Sequence, residues 1–287
     1  MDLELRQLRC LVALVEAGTF TDAAIDLGIS QAAVSRNIAA LERTLGVRLV
    51  HRTTRSVALT EAGERAMVHV RRALSALDEL VREAGSQAGT VRIGYAWSAL
   101  GEHTTDFQHR WAAAFPDTEL ELVRNNTPTA GLTEGTADLA ILRRAPEAAG
   151  IDFVSVGEEK RYCAMSSDDP LAGRRSVTLA QVAQAALAVD GRTGSTTKSL
   201  WPADSQPAKF VAIRDVDDWL TVIGSGKARG ITAASTAHQY RRRGVVYRAV
   251  RDAPPVPVYL AWSGTDAPRE RQRVIDLLAA LYGTGRP

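Results

Sequence analysis

Cysteine is scarce: Cys10 and Cys163 are the two in 287 residues. That excludes a disulfide scaffold and leads us to expect a reducing, cytoplasmic setting. Lysine is scarcer than usual, four against 31 arginines, and the formal net charge is only +2. A histone-like polycation is therefore excluded, but a local basic patch is not. No apolar run approaches the roughly 18 residues of a membrane span. The charged start, Met-Asp-Leu-Glu-Leu-Arg, with Glu16 interrupting the apolar run after Leu11, is unlike a signal peptide. No membrane partner is expected.

Signatures of chemistry are missing too. The five histidines, His51, His69, His103, His109 and His238, show no metal-ligand spacing. Gly224-Ser-Gly-Lys227 resembles a phosphate loop, but Ala228 stands where Ser or Thr is required, and it closes a helix rather than opening one. Ser98, His103 and Asp106 fall close together, but a catalytic triad needs partners converging from separate elements, and no nucleophile-elbow glycines flank Ser98. No catalytic residue, metal or cofactor is expected, and the chain does not read as an enzyme. With 45% hydrophobic and 24% charged residues it reads as globular, its length suggesting about two domains.

What is present begins with helices. Leu5, Leu8, Val12 and Val15 share one helical face, and Gly18 ends that helix. Thr19 to Thr21 caps the next, which runs to about Leu27, and Gly28 makes a tight turn. Ser30 caps a third helix whose apolar positions are Val34, Ile38, Leu41 and Leu45, with Gly46 at its end. Val47–His51 and Val57–Thr60 read as two short strands. A long helix then starts at Thr60-Glu61. On it Met67, Val70, Leu74, Leu77, Val81 and Ala84 form a heptad seam, fitting either packing on its own domain or self-association. Residues 85–90 read as a linker.

From Thr90 the pattern alternates strand and helix, including a helix over Thr129–Gly135 and another over Leu179–Ala186, which predicts a mostly parallel sheet covered by helices. The fold class expected is α/β behind an N-terminal winged helix-turn-helix.

The strongest constellation lies between Phe20 and Ile38. Ala24 must be small where two helices cross, Gly28 tolerates positive φ, and Val34 fills the shared core. The second helix then presents Ser30, Gln31, Ala32, Ser35 and Arg36, with Thr19 and Thr21 at the start of the helix before it. Gln suits adenine, Arg suits guanine, and Ser suits base or phosphate atoms. From Arg36 to Arg55 five arginines face one acid, Glu42. Arg52, Arg55 and Ser56 at the hairpin tip would reach phosphate or minor groove, with His51 beside them. Double-stranded DNA is the expected partner.

These stretches, Ala17–Ala24, Ser30–Arg36, Leu41–Gly46, Arg52–Arg55 and Leu59–Gly63, resemble the DNA-binding module of the LysR-type transcriptional regulators. Ala32 departs from the proline and Val50 from the phenylalanine usual there. The resemblance implies a winged helix-turn-helix over 1–60, a linker and dimerisation helix over 61–89, and an effector domain over 90–287. That domain would have the two-lobed form of periplasmic binding proteins, lobe I about 90–161 and 265–287, lobe II about 162–264. It implies effector contacts at Ser98, Thr127, Arg143, Asp190, Thr193 and Thr196, with helix N-termini facing the cleft. Trp97 and Trp201 lie beside these segments, suited to core packing or to stacking on an aromatic effector. It further implies a homodimer or homotetramer on a bent operator, and it leaves RNA polymerase open as a partner. The function expected is sequence-specific transcription regulation under a small effector, an organic or aromatic acid being the class indicated. An effector-independent regulator, or an enzyme or solute-binding domain with an accessory helix-turn-helix, is the alternative. A peroxide switch that needs two effector-domain cysteines is unsupported, since only Cys163 lies there.

Overall fold

The computed structural model describes residues 3–52, 57–85, 89–265 and 267–283. It divides into two compact units, Met1–Gln87 with Thr133–Thr136, and Ala88–Leu132 with Ala137–Pro287.

In the first unit, α1 (Leu5–Ala17), α2 (Phe20–Asp26) and α3 (Gln31–Leu45) pack around Leu11, Leu14, Val34, Ile38 and Leu41, all fully buried. Glycine punctuates this unit where the chain turns left-handed, with φ of 75° at Gly18, 63° at Gly28 and 70° at Gly46. The helices α2 and α3 start where Thr19 accepts from the Asp22 amide and Ser30 from the Ala33 amide. Strands β1 (Val50–Arg52) and β2 (Val57–Leu59) pair antiparallel as the wing. The helix α4 (Glu61–Gly85) follows. Gly63 near its start lies against the Leu49 carbonyl, where any side chain would collide with backbone.

The second unit has two lobes. The first is a five-stranded sheet in the order β4-β3-β5-β13-β6, from β3 (Gly89–Tyr95), β4 (Thr118–Arg124), β5 (Leu139–Leu142), β6 (Ile151–Glu159) and β13 (Val256–Ser263). Helices α5 (Thr104–Ala114) and α9 (Arg271–Leu281) supply Phe107, Trp111, Val274 and Leu278 to its core, beside Ile93, Leu139 and Leu260. The second lobe is a sheet in the order β11-β7-β12-β8, from β7 (Arg161–Ser166), β8 (Ser176–Val177), β11 (Gly230–Ala233) and β12 (Val245–Val250). Beside it β9 (Leu187–Val189) pairs with β10 (Phe210–Ala212). Helices α6 (Leu179–Val182), α7 (Val216–Gly224) and α8 (Ala234–Gln239) complete this lobe.

Three expectations are corrected. The sheets are mixed rather than mostly parallel: β3 runs parallel to β4 and β5, but β13 runs antiparallel to β5 and β6, and β7 antiparallel to β11 and β12. The reason is that the chain leaves the first lobe after β6 and returns into β13 from the other lobe, so the returning strand enters from the opposite end. The helix expected over Thr129–Gly135 is a series of turns. Ala130 has a φ of 49° and Gly131 one of 99°, which a right-handed helix cannot contain. This loop lies on Gly94 of β3, where the Ala130 carbonyl leaves no space for a side chain. The helix after Thr178 is also shorter than expected, a single turn ending at Val182.

The seam of α4 divides. Met67 and Val70 are buried and Leu74 half-buried in the core of the first unit, whereas Leu77 and Val81 are exposed. Leu80, which the seam did not include, is 61% exposed. The side chain of Ala84 lies outside the described residues.

Candidate nucleic-acid interface and ligand cleft

The second helix of the motif, α3, is held from one side only. Val34, Ile38 and Leu41 point into the core, and the opposite face carries Gln31, Ala32 and Arg36 in the open, with Ser30 and Thr21 exposed beside them. Neither Gln31 nor Arg36 has a side-chain hydrogen bond among the described residues, so their donors are free for a partner. Thr19 and Ser35 are half-buried. Thr19 is spent largely on structure, capping α2 and donating to the Asp22 carboxylate at 2.6 Å.

The one acid of the basic segment is turned to structure as well. Glu42 accepts from the amides of Leu49 at 2.8 Å and Val50 at 3.2 Å, pinning the wing to α3. The arginines Arg36, Arg43 and Arg48 stay exposed, which leaves this side of the unit positive. Arg52 is the last residue of β1, and its side chain, with Arg55 and Ser56, lies outside the described residues. Val50, the substitution noted in the sequence, is 2% exposed and fills its place under the wing.

In the second unit the two lobes enclose a cavity of about 300 Å³. Ser98, Thr127 and Arg143 line it from the first lobe, and Asp190, Thr193 and Thr196 from the second, so the six residues singled out in the sequence converge on one space. The sequence reading missed Thr129 and Trp219 on the same wall, and Arg192 lies there within the Asp190–Thr196 segment. Thr129 lies in a loop and Trp219 within α7, and no periodicity or spacing marks either as facing the cavity. Trp97 and Trp219 meet edge to face, with ring centroids 5.4 Å apart. Trp201 does not line the cavity and donates its indole N–H to the Leu179 carbonyl, while Trp219, itself 1% exposed, donates to the Ala188 carbonyl.

Most polar groups of the wall are already engaged. The Ser98 hydroxyl donates to Ser235 Oγ at 2.9 Å and lies 3.1 Å from Thr236 Oγ1. Thr127 accepts from the Gly131 amide, and Thr196 donates to the Ile231 carbonyl. Asp190, 3% exposed, accepts from the Arg192 amide at 2.9 Å, Thr193 Oγ1 at 2.7 Å and Trp97 Nε1 at 3.3 Å.

Arg143 differs. Its Nε and Nη2 donate to Glu159 Oε1 at 3.1 and 2.7 Å, and Nη2 also reaches the Ala99 carbonyl and Ser235 Oγ. Its Nη1 is buried without any partner among the described residues. Glu159 in turn accepts from the Ser235 amide and the Tyr282 hydroxyl, at 2.8 and 2.9 Å. Burial pushes the Glu159 carboxyl up, but the Arg143 charge with the bonds from Ser235 and Tyr282 outweighs it and holds the group below the usual carboxylate range. Burial pushes the Tyr282 phenol up, so it remains a donor.

Arg161 ties the crossings between lobes to the cavity wall, donating to the Pro254 carbonyl at 2.8 Å and the Ser195 carbonyl at 3.0 Å. Burial lowers its guanidinium to about 10. Cys10 and Cys163 are both buried, and burial raises the Cys163 thiol to about 12, which leaves little thiolate at neutral pH. Among the described residues no helix is long and apolar enough to cross a membrane, and no cluster of ligands could hold a metal ion.

Two family models match the chain: a bacterial regulatory helix-turn-helix protein of the lysR family over residues 5–64, and a LysR substrate binding domain over 84–282. The chain is 36% identical over 191 residues to the uncharacterized HTH-type transcriptional regulator YnfL of Escherichia coli K12, covering 64% of each. It is 30% identical over 273 residues to the HTH-type transcriptional regulator TfdS of Cupriavidus pinatubonensis, covering 91% of this chain and 92% of that one. The first curated relatives are thus matched over less than two thirds of their length, 64% and 60%. Among solved structures, CbnR, a LysR family transcriptional regulator, aligns over 97% of this chain and 99% of its own with a TM-score of 0.69 at 22% identity, a likeness of fold.

Proposed function

The chain belongs to the LysR family of bacterial transcriptional regulators, and on that premise we propose that it binds operator DNA through residues 1–60 and senses a small organic acid with residues 90–287. Gln31, Arg36 and the residues around them enter the major groove, and the wing follows the backbone. Ser98, Thr127, Arg143, Asp190, Thr193 and Thr196 surround the effector. No catalytic role is assigned to any of them.

The observation that carries the effector class is Arg143 on the cavity wall, with a guanidinium left incompletely satisfied because its buried Nη1 has no partner among the described residues. A guanidinium nitrogen without an acceptor is unfavourable, and a carboxylate in the cavity would offer Arg143 a further acceptor once a side-chain shift uncovers the buried Nη1. Trp97, half-buried on the same cavity wall, favours an aromatic acid. Thermal denaturation with benzoate, salicylate and succinate tests this reading. A ligand that binds the folded state raises the apparent melting temperature by mass action. An aromatic carboxylate should stabilise the wild type and lose that effect in Arg143→Ala. A shift retained in the variant removes Arg143 from the anion site.

The same reading has the linker helix α4 join two copies. Its exposed Leu77, Leu80 and Val81 supply the apolar face that a partner would cover. Replacing Leu80 and Val81 together by Lys should convert an oligomer into monomer at micromolar concentration, read by sedimentation velocity. An unchanged sedimentation coefficient would place the interface elsewhere.

A further inference from the structure

The second unit carries another concavity, of about 560 Å³, that shares no residue with the cleft. Its wall is the run Arg241-Arg242-Arg243 with His238, and its floor is Tyr162 and Tyr247. Arg241, Arg242 and Arg243 are all exposed, and among the described residues none is paired with a carboxylate: Arg242 donates to the Thr221 hydroxyl at 2.9 Å, and the side chains of the other two have no partner there. Three largely buried arginines of this unit, Arg92, Arg143 and Arg229, pair with Asp138, Glu159 and Asp169, whereas exposed ones such as Arg174 and Arg175 are, like these three, without a carboxylate partner among the described residues. One acid, Glu102, reaches the rim. Three adjacent like charges around a hollow repel one another, and an anion seated among them would relieve that repulsion.

The loop that presents the arginines is fixed before any ligand arrives. The Tyr247 hydroxyl donates to the Tyr240 carbonyl at 2.6 Å, the Val245 amide to the Arg242 carbonyl, and the Ser167 amide to the Gly244 carbonyl. Prior fixation of this kind lowers the ordering cost of binding. The floor is built by register. Tyr162 lies opposite Ala249 and Tyr247 opposite Ala164, so the tyrosines are diagonal neighbours on one face of the β7–β12 pair. Two half-buried phenol rings beside a guanidinium cluster suit a molecule with a flat ring at one end and a dense negative charge at the other.

We propose that this concavity is a second ligand site, for a small phosphorylated molecule bearing an aromatic ring, of the nucleotide type. The phosphates lie against Arg241 and Arg243, whose forked donors match phosphate oxygens, and the ring lies on Tyr162 and Tyr247. The site is linked to the cleft: Tyr240, next to Arg241, donates its hydroxyl to the carbonyl of Trp97 at 2.8 Å, and Trp97 lines the cleft.

Calorimetric titration of the full-length protein with ADP, and separately with inorganic pyrophosphate, tests the proposal. The comparison needs wild type, the double variant Arg241→Ala/Arg243→Ala, Tyr162→Ala, and Arg36→Ala as a control for anion binding at the DNA face. Wild type and Arg36→Ala should bind both probes equally, and the double variant should lose at least about tenfold in affinity for both. Tyr162→Ala should weaken ADP and leave pyrophosphate unchanged. Both arginines are exposed, so the double variant should keep the wild-type melting temperature. The proposal is overturned if wild type binds neither probe, or if the double variant binds them as wild type does. It is equally overturned if the double variant loses affinity for DNA while ADP binds nothing, since the patch would then be a nucleic-acid contact.

Discussion

Glu159→Gln should cost the second unit about 3–5 kcal/mol of stability, the range for breaking a buried ion pair by removing one partner. Arg143 and Glu159 have side chains only 11% and 5% exposed, so the surviving guanidinium would be left buried and uncompensated. Glutamine is nearly the same size, yet it offers one oxygen where the carboxylate uses two. Oε1 serves Arg143 and Tyr282 while Oε2 serves the Ser235 amide, so one of these sets must lose its acceptor. The readout is selective, because all five tryptophans, Trp97, Trp111, Trp201, Trp219 and Trp262, lie in this unit. Denaturant unfolding followed by tryptophan fluorescence therefore reports on it alone, and an unchanged midpoint would show that the pair contributes nothing.

The pH dependence has a definite sign. The folded Glu159 carboxyl is held below its ordinary value of about 4.3. Around and below that pH the unfolded chain binds more protons, so the contribution of Glu159 is complete above it and is lost as pH falls through the lowered folded value. Asp169, where bonds from Arg229 outweigh the burial that raises it, acts in the same direction. Wild type and Glu159→Gln should therefore converge in stability under acid, and the difference isolates the Glu159 share.

Arg36→Ala should weaken binding to an operator fragment by at least about a hundredfold per dimer. Each dimer would present the residue twice, and one charge-assisted bond to a charged acceptor contributes about 1.5–3 kcal/mol. The salt dependence separates its two kinds of target. If Arg36 meets phosphate, affinity falls for every sequence, and the slope of log K against log salt becomes shallower by about 0.9 for each phosphate no longer neutralised. If it reads a guanine, the slope stays and discrimination at one base pair weakens by about 1–3 kcal/mol. Wild-type affinity in the variant would remove Arg36 from the interface. The side chain is exposed and has no internal partner among the described residues, so the fold does not depend on it, and an unshifted melting temperature checks that point.

Local signals made the first unit legible. Gly18, Gly28 and Gly46 mark left-handed turns, Thr19 and Ser30 are the caps, and Val34, Ile38 and Leu41 fall at helical spacing, so a few adjacent residues decide each feature. Sheet direction was not legible. Whether β13 runs with or against β5 depends on where the chain returns from the other lobe, and no window of residues contains that information. The turns at Thr129–Gly135 escaped for a related reason, because Ala130 is driven into positive φ where its carbonyl lies against Gly94 on a distant strand. Neighbouring residues were enough to specify a helix-turn-helix with a basic wing and an α/β domain behind it, since periodicity, caps and local charge are written at short range. The tertiary structure alone decided that Glu159 should neutralise Arg143 yet leave Nη1 free, that Trp219 should meet Trp97, and that three arginines should surround a hollow floored by tyrosines. Those groups lie far apart along the chain, and only the packing of two lobes sets their distances and their burial.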